Sequence, residues 1–326
     1  MKICVVGGTG NISTSIVKLL LQQGHEVTVF SRGKSGEVPQ GVRALHGDRS
    51  EREKFESAMQ AEKFDAAIDM ICFTEDDAKS SVRAFRGVSH FVHCSTVCTY
   101  GIDYDWFPTT EDHLLRPTTD YGRNKVAADN VFLEAFHGSS FPVTIIKPST
   151  TYGPQMGLLR QIAWEFAWID RVRRGKPIVV SGDGLALTQF LHVDDAAPAF
   201  CGVIGKPVCL GQTYNMMKRE VETWNSYHRT AMKVLGREVE IVGVPLDSLR
   251  KAGVPNFSIC DEIFAYNIYY SPEKLMRDVP EFRPQISLEA GMQNVLEAMD
   301  KTGRVPNSDD ETWEDEIIEK QRRAFD

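Results

Sequence analysis

Short apolar runs alternate with helical patterns along the first 150 residues of the chain. Residues 3–6 (ICVV) lack the alternation of a half-exposed strand, which is typical of a strand buried on both faces of a parallel sheet. A helical pattern follows from Ile12 to Leu20, and Gly24 ends it. Further strands are predicted at 26–31, 43–46, 65–71, 89–94 and 143–147, with helices at 51–62, 75–85 and 118–136. This alternation predicts a doubly wound parallel sheet, an α/β fold of the Rossmann type.

A glycine turn joins the first strand to the first helix, with the spacing Gly7-x-x-Gly10-x-x-Ser13. The amino end of a helix carries free N–H groups and a partial positive charge, and glycines let a pyrophosphate approach the backbone. The spacing differs from G-x-G-x-x-G, and a turn without any ligand would also use glycines. Its position at the start of a β-α-β unit favours a dinucleotide site.

The regular alternation of predicted strands and helices ends after Pro154. Here the patterns predict helices at 158–174, 194–203, 220–235 and 288–300, strands at 178–181, 190–193 and 213–216, and an acidic helix in the tail 309–326. We therefore expect a dinucleotide-binding Rossmann domain over residues 1–154, completed by about 189–205. Residues 155–188 and 206–326 are expected to form a smaller α+β substrate-binding lobe at the carboxyl edge of the sheet.

Composition and charge narrow the functional classes. The 326 residues are 42% hydrophobic and 25% charged, as in ordinary globular proteins. The formal charge of 37 − 45 = −8 argues against nucleic acid as the main partner. Seven cysteines occur singly, without zinc spacing, so we expect reduced thiols, no metal and a cytoplasmic location. The first apolar run is too short for a signal peptide, and no stretch has the length of a membrane span.

Tyr121 and Lys125 stand at positions i and i+4 of one predicted helix and therefore share a face. An ammonium close to the phenol should lower the pKa of Tyr121 from about 10 and make it a usable general acid or base. An amphipathic surface pair would have the same spacing. Ser95 and Thr96 follow the fifth strand at the sheet edge, where their hydroxyls could bind the same substrate carbonyl.

Five motifs occur in a familiar order: GGTGNIS (7–13), CSTVCTYG (94–101), YGRNK (121–125), PSTTYGP (148–154) and FLHVDD (190–195). In these motifs the chain resembles the extended short-chain dehydrogenase/reductases, in the NAD-dependent epimerase/dehydratase branch, from about residue 2 to 299. The resemblance implies that Tyr121 donates or accepts the proton, that Lys125 holds the nicotinamide ribose, and that Thr96 is the catalytic Ser/Thr. The cofactor contacts that it implies are Gly7, Gly10, Asn11, Ile12, Asp48, Ser95, Tyr121, Lys125 and Pro148.

The end of the second strand bears on the choice of nicotinamide cofactor. An acidic residue usually stands there in NAD enzymes, but this chain has Ser31, followed by Arg32 and Lys34. A hydroxyl and two cations suit a 2′-phosphate. We therefore expect NADP(H) as the preferred cofactor, with NAD(H) as the alternative; a solvated basic loop is the interpretation without a ligand.

Departures from the family pattern reduce the number of candidate reactions. Val97 and Cys98 follow Thr96 where sugar dehydratases of this branch carry Asp-Glu, so a 4,6-dehydratase is not expected. Thr188 and Thr150 replace an arginine and an asparagine typical of nucleotide-sugar members. Net ketone reduction and epimerisation of a sugar-like or other polar small molecule both stay open. The alternative is a catalytically silent NADP(H)-binding sensor or RNA-associated protein. A homodimer through helices on the sheet face is a further expectation.

Overall fold

The computed structural model describes residues 1–34, 36 and 38–323. Its strands are β1 (Lys2–Val6), β2 (Glu26–Ser31), β3 (Arg43–His46), β4 (Ala66–Asp69), β5 (His90–Cys94), β6 (Val143–Pro148), β7 (Thr150–Tyr152), β8 (Ile178–Ser181), β9 (Leu187–Thr188), β10 (Phe190–His192), β11 (Thr213–Met216), β12 (Glu222–Thr223) and β13 (Ile241–Val244). Its α-helices are α1 (Asn11–Gln22), α2 (Arg52–Glu62), α3 (Glu75–Ala84), α4 (Asp120–Ser139), α5 (Ala167–Arg174), α6 (Val193–Gly202), α7 (Trp224–Leu235), α8 (Leu246–Ala252), α9 (Glu273–Asp278), α10 (Leu288–Lys301) and α11 (Trp313–Arg323).

Within the described residues, seven parallel strands form the central sheet in the order β11-β6-β5-β4-β1-β2-β3. The chain begins in the middle of the sheet, runs outwards through β2 and β3, and returns to build the other half from β4. The reversal of direction beside β1 is the switch point of a doubly wound sheet, where the carboxyl ends of the strands leave a crevice for ligands. The predicted α/β Rossmann fold is confirmed.

The chain divides into two compact units. Unit 1 comprises Met1–Thr151, Val193–Arg219 and Tyr270–Gln285, and unit 2 comprises Tyr152–His192, Glu220–Tyr269 and Ile286–Asp326. Unit 1 takes more of the carboxyl-terminal half than the predicted 189–205, because β11 pairs with β6 at the edge of the sheet and Lys274 donates to the Thr213 carbonyl beside it. The dinucleotide-binding and substrate-binding roles of the two parts stay predictions.

The core of unit 1 lies between the sheet and its helices. Residues 3–6 of β1 are completely buried, as their unbroken apolar run predicts. On one face, Cys4 and Val6 belong to a cluster with residues of α2, α3 and α4, in which Phe91 and Phe132 stack at 5.2 Å between ring centroids. Helix α1 packs against α6. The sheet is therefore held rigidly enough to fix the loops at its carboxyl edge.

Most predicted elements are confirmed. The predicted strands 26–31, 43–46, 178–181 and 213–216 have the observed bounds, and the others agree within two residues. Predicted helix 158–174 is wrong over its first half, because only Ala167–Arg174 is helical. Arg160 in that half turns inwards to Glu314, which overrides the apolar spacing. Trp164 in the same segment is 45% exposed, whereas Trp168 in α5 is fully buried.

Unit 2 contains a parallel pair of strands, β8 and β13, of which the sequence predicted only β8. Helix α11 docks through the buried carboxylate of Glu314, which binds Arg160 at 2.5 Å and Arg171 at 3.2 Å. Ile317 and Ile318 are buried on the same helix, which confirms the predicted apolar side of the tail. The last three residues of the predicted tail helix, 324–326, lie outside the described residues.

Three further features concern the whole described chain. No helix in residues 1–34, 36 and 38–323 is long and apolar enough to cross a membrane. No three His, Cys, Asp or Glu side chains among these residues are arranged to hold a metal ion. All seven cysteines are free thiols, and Cys98 is the partly exposed one among six buried residues.

Candidate active site

The glycine turn after β1 forms a cradle at the start of α1. Gly7 has φ +79°, and a Cβ atom on it would lie 2.6 Å from Ile71 Cγ2. Ser13, which replaces the third glycine of the fingerprint, accepts from the Gly10 N–H at 2.8 Å and donates to the Gly7 carbonyl at 2.7 Å. The serine therefore closes the turn upon itself. Asn11 and Ile12, two predicted contacts, form the first turn of α1, where free N–H groups favour an anion.

A cavity of about 400 Å³ opens beside this turn. Its walls come from the carboxyl ends of β1, β2 and β4 and from the loop after β3. The lining residues are Gly7, Thr9, Gly10, Phe30, Ser31, Arg32, Lys34, Gly47, Asp48, Arg49, Ser50, Ile71, Phe73 and Asp77. Six predicted cofactor contacts thus line one cavity: Gly7, Gly10, Ser31, Arg32, Lys34 and Asp48. The size and the glycine cradle suit part of a dinucleotide.

One end of the cavity is cationic. Arg32 and Lys34 are exposed, and neither makes an ion pair with any residue that the structure describes. Asp48 accepts from the N–H and the hydroxyl of Ser50 at 2.9 Å and 2.8 Å. These hydrogen bonds, helped by the positive charges of Arg32 and Lys34, hold the pKa of Asp48 below its usual range. The two cations keep their charge available for a ligand.

Lys125 is the buried cation of the site. Its ammonium, on a side chain from α4, donates to the carbonyl oxygens of Cys72 and Cys94, at 2.7 Å each. No carboxylate of the described chain forms an ion pair with it, although the residue is only 1% exposed. An ammonium has three donors, so one N–H remains for a ligand oxygen. The residues present therefore fit the ribose hydroxyl of a nicotinamide nucleotide.

Tyr121 lies in the first turn of α4, close to Thr96. Thr119 caps this helix by accepting from the Gly122 N–H at 2.8 Å. A Cβ on Gly122 would lie 2.6 Å from the Cys98 carbonyl oxygen, so the glycine allows α4 to approach the turn that follows β5. The Thr96 hydroxyl, which accepts from the Cys98 N–H at 3.2 Å, lies close enough to the Tyr121 phenol to act on its pKa. The predicted tyrosine, threonine and lysine are therefore brought together.

The predicted direction of the Tyr121 pKa shift is wrong. Although 45% of the side chain is exposed, loss of water around the phenol raises the pKa of Tyr121 well above 10, and nearby Cys94 and Cys98 add to the shift. The Thr96 hydroxyl offsets part of the shift. The ammonium of Lys125 lies over the ring face, 5.8 Å from the centroid, and burial of the phenol is the dominant cause of the shift.

Phe73 connects the cavity to the catalytic pair. Its ring lines the cavity, lies 4.9 Å from the Lys125 Nζ and has its centroid 6.5 Å from that of Tyr121. The side chain is 45% exposed. The Tyr121–Lys125 pair therefore adjoins the groove that starts at Gly7.

Ser95 and Pro148, two predicted cofactor contacts, do not line the cavity. The Ser95 hydroxyl donates to Asp129 at 2.9 Å, so it is engaged by α4 and turned from the carbonyl-binding role that we expected. Pro148 ends β6 opposite Met216 and is buried. Sequence reasoning missed Asp129 and Lys147. Two features of the sequence could have pointed to them. Asp129 stands four residues after Lys125 and therefore on the same helix face, and Lys147 is a charged residue within an apolar strand.

Comparisons with known proteins identify the family of the chain. The profile of the NAD dependent epimerase/dehydratase family matches residues 3–216. The 2′-dehydrokanamycin reductase of Streptomyces kanamyceticus is 30% identical over 76% of this chain and 70% of its own length. The chloroplast stem-loop binding protein of 41 kDa b of Arabidopsis thaliana is 26% identical over 98% of this chain and 84% of its own.

The fold is also shared with a solved structure. The UDP-glucose 4-epimerase of Thermotoga maritima, determined with UDP-glucose, superposes with a TM-score of 0.75 over 93% of this chain and 99% of its own, at 20% identity. At this identity the likeness concerns the fold alone.

The fold and site define a nicotinamide-dependent oxidoreductase of the Rossmann class. The chain belongs to the NAD dependent epimerase/dehydratase family, as the resemblance in the sequence implied.

The glycine cradle can be tested with Gly7→Ala. The substitution combines a positive φ, worth about 1–2 kcal/mol, with a contact that forces Ile71 to move, worth about 1–3 kcal/mol. We expect the free energy of unfolding to fall by about 2–5 kcal/mol in urea denaturation, and NADPH to bind at least about tenfold more weakly by fluorescence titration.

Gly24→Ala is the matched control, because Gly24 has φ +78° and nothing within 4 Å of an added Cβ. It should cost about 1–2 kcal/mol and leave NADPH binding unchanged. A folded Gly7→Ala protein that binds NADPH as tightly as the wild type would contradict the assignment of the cavity.

Proposed function

We propose that this protein is an NADPH-dependent ketoreductase that reduces a carbonyl group of a sugar-like or other polar small molecule to a secondary alcohol. The observation that carries the proposal is the Phe73 ring, which joins the cavity containing Arg32 and Lys34 to the Tyr121–Lys125 pair. A cofactor site and a proton donor are then next to each other. The similarity to a reductase at 30% identity supports the same direction of reaction.

The chain supplies a role for each side chain of the site. When bound, the reduced nicotinamide supplies a hydride to the carbonyl carbon of the substrate. Tyr121 donates the proton that the carbonyl oxygen then takes up, and the Thr96 hydroxyl orients that oxygen by hydrogen bonding. Lys125 holds the ribose with its remaining N–H, since its other two donors are fixed by Cys72 and Cys94. Hydride and proton together convert the ketone to the alcohol.

The preference for NADPH follows from the cationic end of the cavity. Ser31, Arg32 and Lys34 line it, and neither cation has an ion-pair partner in the described parts of the chain. A 2′-phosphate would supply the missing negative charge, whereas a free 2′-hydroxyl would find no carboxylate at Ser31. NAD(H) remains the alternative cofactor.

Exchanging Ser31 for Asp and Arg32 for Asn tests this preference. Charge-assisted hydrogen bonds contribute about 1.5–3 kcal/mol each, so the ratio of kcat/KM for NADPH over NADH should fall by at least about tenfold. Lys54→Asn, which removes an exposed cation outside the cavity, serves as the control and should leave the ratio unchanged. An unchanged ratio in the double variant would refute the 2′-phosphate assignment.

The raised pKa of Tyr121 favours the reductive direction. A phenol whose pKa lies above 10 is protonated throughout the neutral range, so its acid form is present and its phenolate is scarce. Ketone reduction requires the acid form, whereas alcohol oxidation requires the base form. The protonated phenol of Tyr121 therefore supports ketone reduction as the proposed direction.

This argument predicts opposite pH profiles for the two directions. Between pH 6 and 9, kcat for reduction should show no decline from loss of the Tyr121 proton, and kcat for alcohol oxidation should rise with pH. Steady-state rates in overlapping buffers check both. A tenfold fall in reductive kcat per pH unit above pH 7 would instead indicate the lowered pKa that the sequence suggested.

Epimerisation is the second candidate reaction, and the family to which the chain belongs favours it. The same residues would then act in both directions on one hydroxyl. Val97 and Cys98 follow Thr96 in place of the acid and the base that a dehydratase needs to remove water. The chain therefore lacks the residues for dehydration at these two positions. Product analysis separates the reactions, because a reductase consumes NADPH in proportion to product and an epimerase consumes none.

Tyr121→Phe distinguishes an enzyme from a silent nucleotide-binding protein. Removing the hydroxyl should lower kcat at least about 100-fold and change the NADPH dissociation constant less than twofold, since proton transfer contributes about 10²–10⁴ in rate. The similarity to a stem-loop binding protein motivates the alternative. NADPH binding without turnover of any carbonyl or sugar in a broad panel, in the wild type, would favour a sensor or RNA-associated protein.

A further inference from the structure

A buried ion pair lies behind the proposed catalytic residues. Asp129 on α4 and Lys147 on β6 are 3.2 Å apart, and their side chains are 3% and 4% exposed. Lys125 and Asp129 stand one turn apart on the same helix, so the pair fastens the helix that carries Tyr121 to the carboxyl end of β6.

Hydrogen bonds lead from this pair to Thr96 by two routes. Asp129 accepts from the hydroxyl of Ser95, the residue immediately before Thr96, at 2.9 Å. Lys147 donates to the Thr99 hydroxyl at 2.8 Å, and that hydroxyl donates to the Thr96 carbonyl at 2.9 Å. Thr96 is therefore held from both sides by partners of one ion pair.

Energetics indicate that stability alone does not explain the pair. Removing two charges from water costs several kcal/mol per ion, and apolar pairs of similar volume often stabilise a protein at least as well. Buried ion pairs that persist can instead fix one arrangement of the chain. Here the fixed arrangement concerns Thr96 and Tyr121, which must both reach the same substrate oxygen.

The surroundings of Asp129 keep it ionised. Burial raises the pKa of Asp129, but Lys147, His93 on β5 and Ser95 together outweigh it, and the pKa lies below its usual range. His93 itself is buried, and loss of water lowers its pKa. Lys147 is thus the cation that compensates Asp129.

We propose that Asp129 and Lys147 are positioning residues that hold the Thr96 hydroxyl against the Tyr121 phenol through Ser95 and Thr99. The inference rests on the proposed function for its catalytic consequence. Neither side chain contacts the cavity, so both act through other residues.

The test replaces the pair by an apolar one, in the double variant Asp129→Leu/Lys147→Met. Because both charges are removed together, no uncompensated ion is left buried, and the protein should fold. Its kcat for carbonyl reduction should fall by about 10- to 100-fold, as expected for misplaced catalytic groups, while its NADPH dissociation constant changes less than twofold. Lys147→Arg keeps the cation and should retain most of the kcat.

A second readout does not depend on turnover. In protein with ¹³C-labelled tyrosine ring carbons, the Tyr121 Cζ signal is identified by its absence in Tyr121→Phe. Thr96→Val, which removes the hydroxyl, should move this signal, and the apolar double variant should move it in the same direction. Lys79→Met, which breaks an exposed pair with Glu75 on α3, is the control and should change neither the signal nor kcat.

The outcomes separate the two proposals. A folded double variant with an unmoved Tyr121 signal, where Thr96→Val does move it, would overturn the positioning role. A double variant with kcat within twofold of the wild type would overturn it as well. If the wild type turns over no carbonyl substrate, the proposed function fails, and the Tyr121 signal still decides whether the ion pair positions Thr96.

Discussion

The arrangement of the site depends on how one buried ammonium is satisfied. Lys125 carries its charge into the protein without an ion-pair partner in the described chain, and two backbone carbonyls, of Cys72 and Cys94, accept its hydrogen bonds. These carbonyls follow β4 and end β5, so Lys125 ties α4 to two neighbouring strands at the carboxyl edge of the sheet. A buried cation is costly unless its donors are used, and two of the three donors of Lys125 are used here. The same interaction thus positions the helix and leaves a place for a ligand.

Charges in the crevice differ from charges elsewhere in the structure. Arg160 and Arg171 in unit 2 are paired with Glu314, and Arg49, which lines the cavity, contacts both carboxylate oxygens of Asp69 through Nη1. Arg32, Lys34 and Lys125 have no such partners among the described residues; Arg32 and Lys34 line the cavity, and Lys125 lies 4.9 Å from the ring of Phe73, which also lines it. Cations that protein carboxylates do not neutralise, next to a glycine cradle, are the electrostatic signature of a phosphate-bearing ligand.

Tyr121 shows how the protein can choose a direction of proton transfer. Loss of water around the phenol and the neighbouring thiols favours the neutral form, and the Thr96 hydroxyl compensates only partly. Small changes in the distance between Thr96 and Tyr121 therefore change both the acidity of the phenol and its alignment with a substrate. The ion pair of Asp129 and Lys147 fixes that distance from behind, where neither residue needs to meet the substrate.

The sequence by itself determined the fold class and most strands and helices, because apolar periodicity is a local property of the chain. The motifs also led to the prediction that the glycine turn, Ser31, Arg32, Tyr121 and Lys125 belong to one site. Three things were decided only by the tertiary structure. Residues 158–166 are not helical because Arg160 reaches Glu314, more than 150 positions away. The pKa of Tyr121 rises because packing removes water from the phenol and places Cys94 and Cys98 close to it. The Ser95 hydroxyl donates to Asp129 because the fold brings β5, β6 and α4 together. These contacts join residues that are distant in the sequence, so no local pattern predicts them.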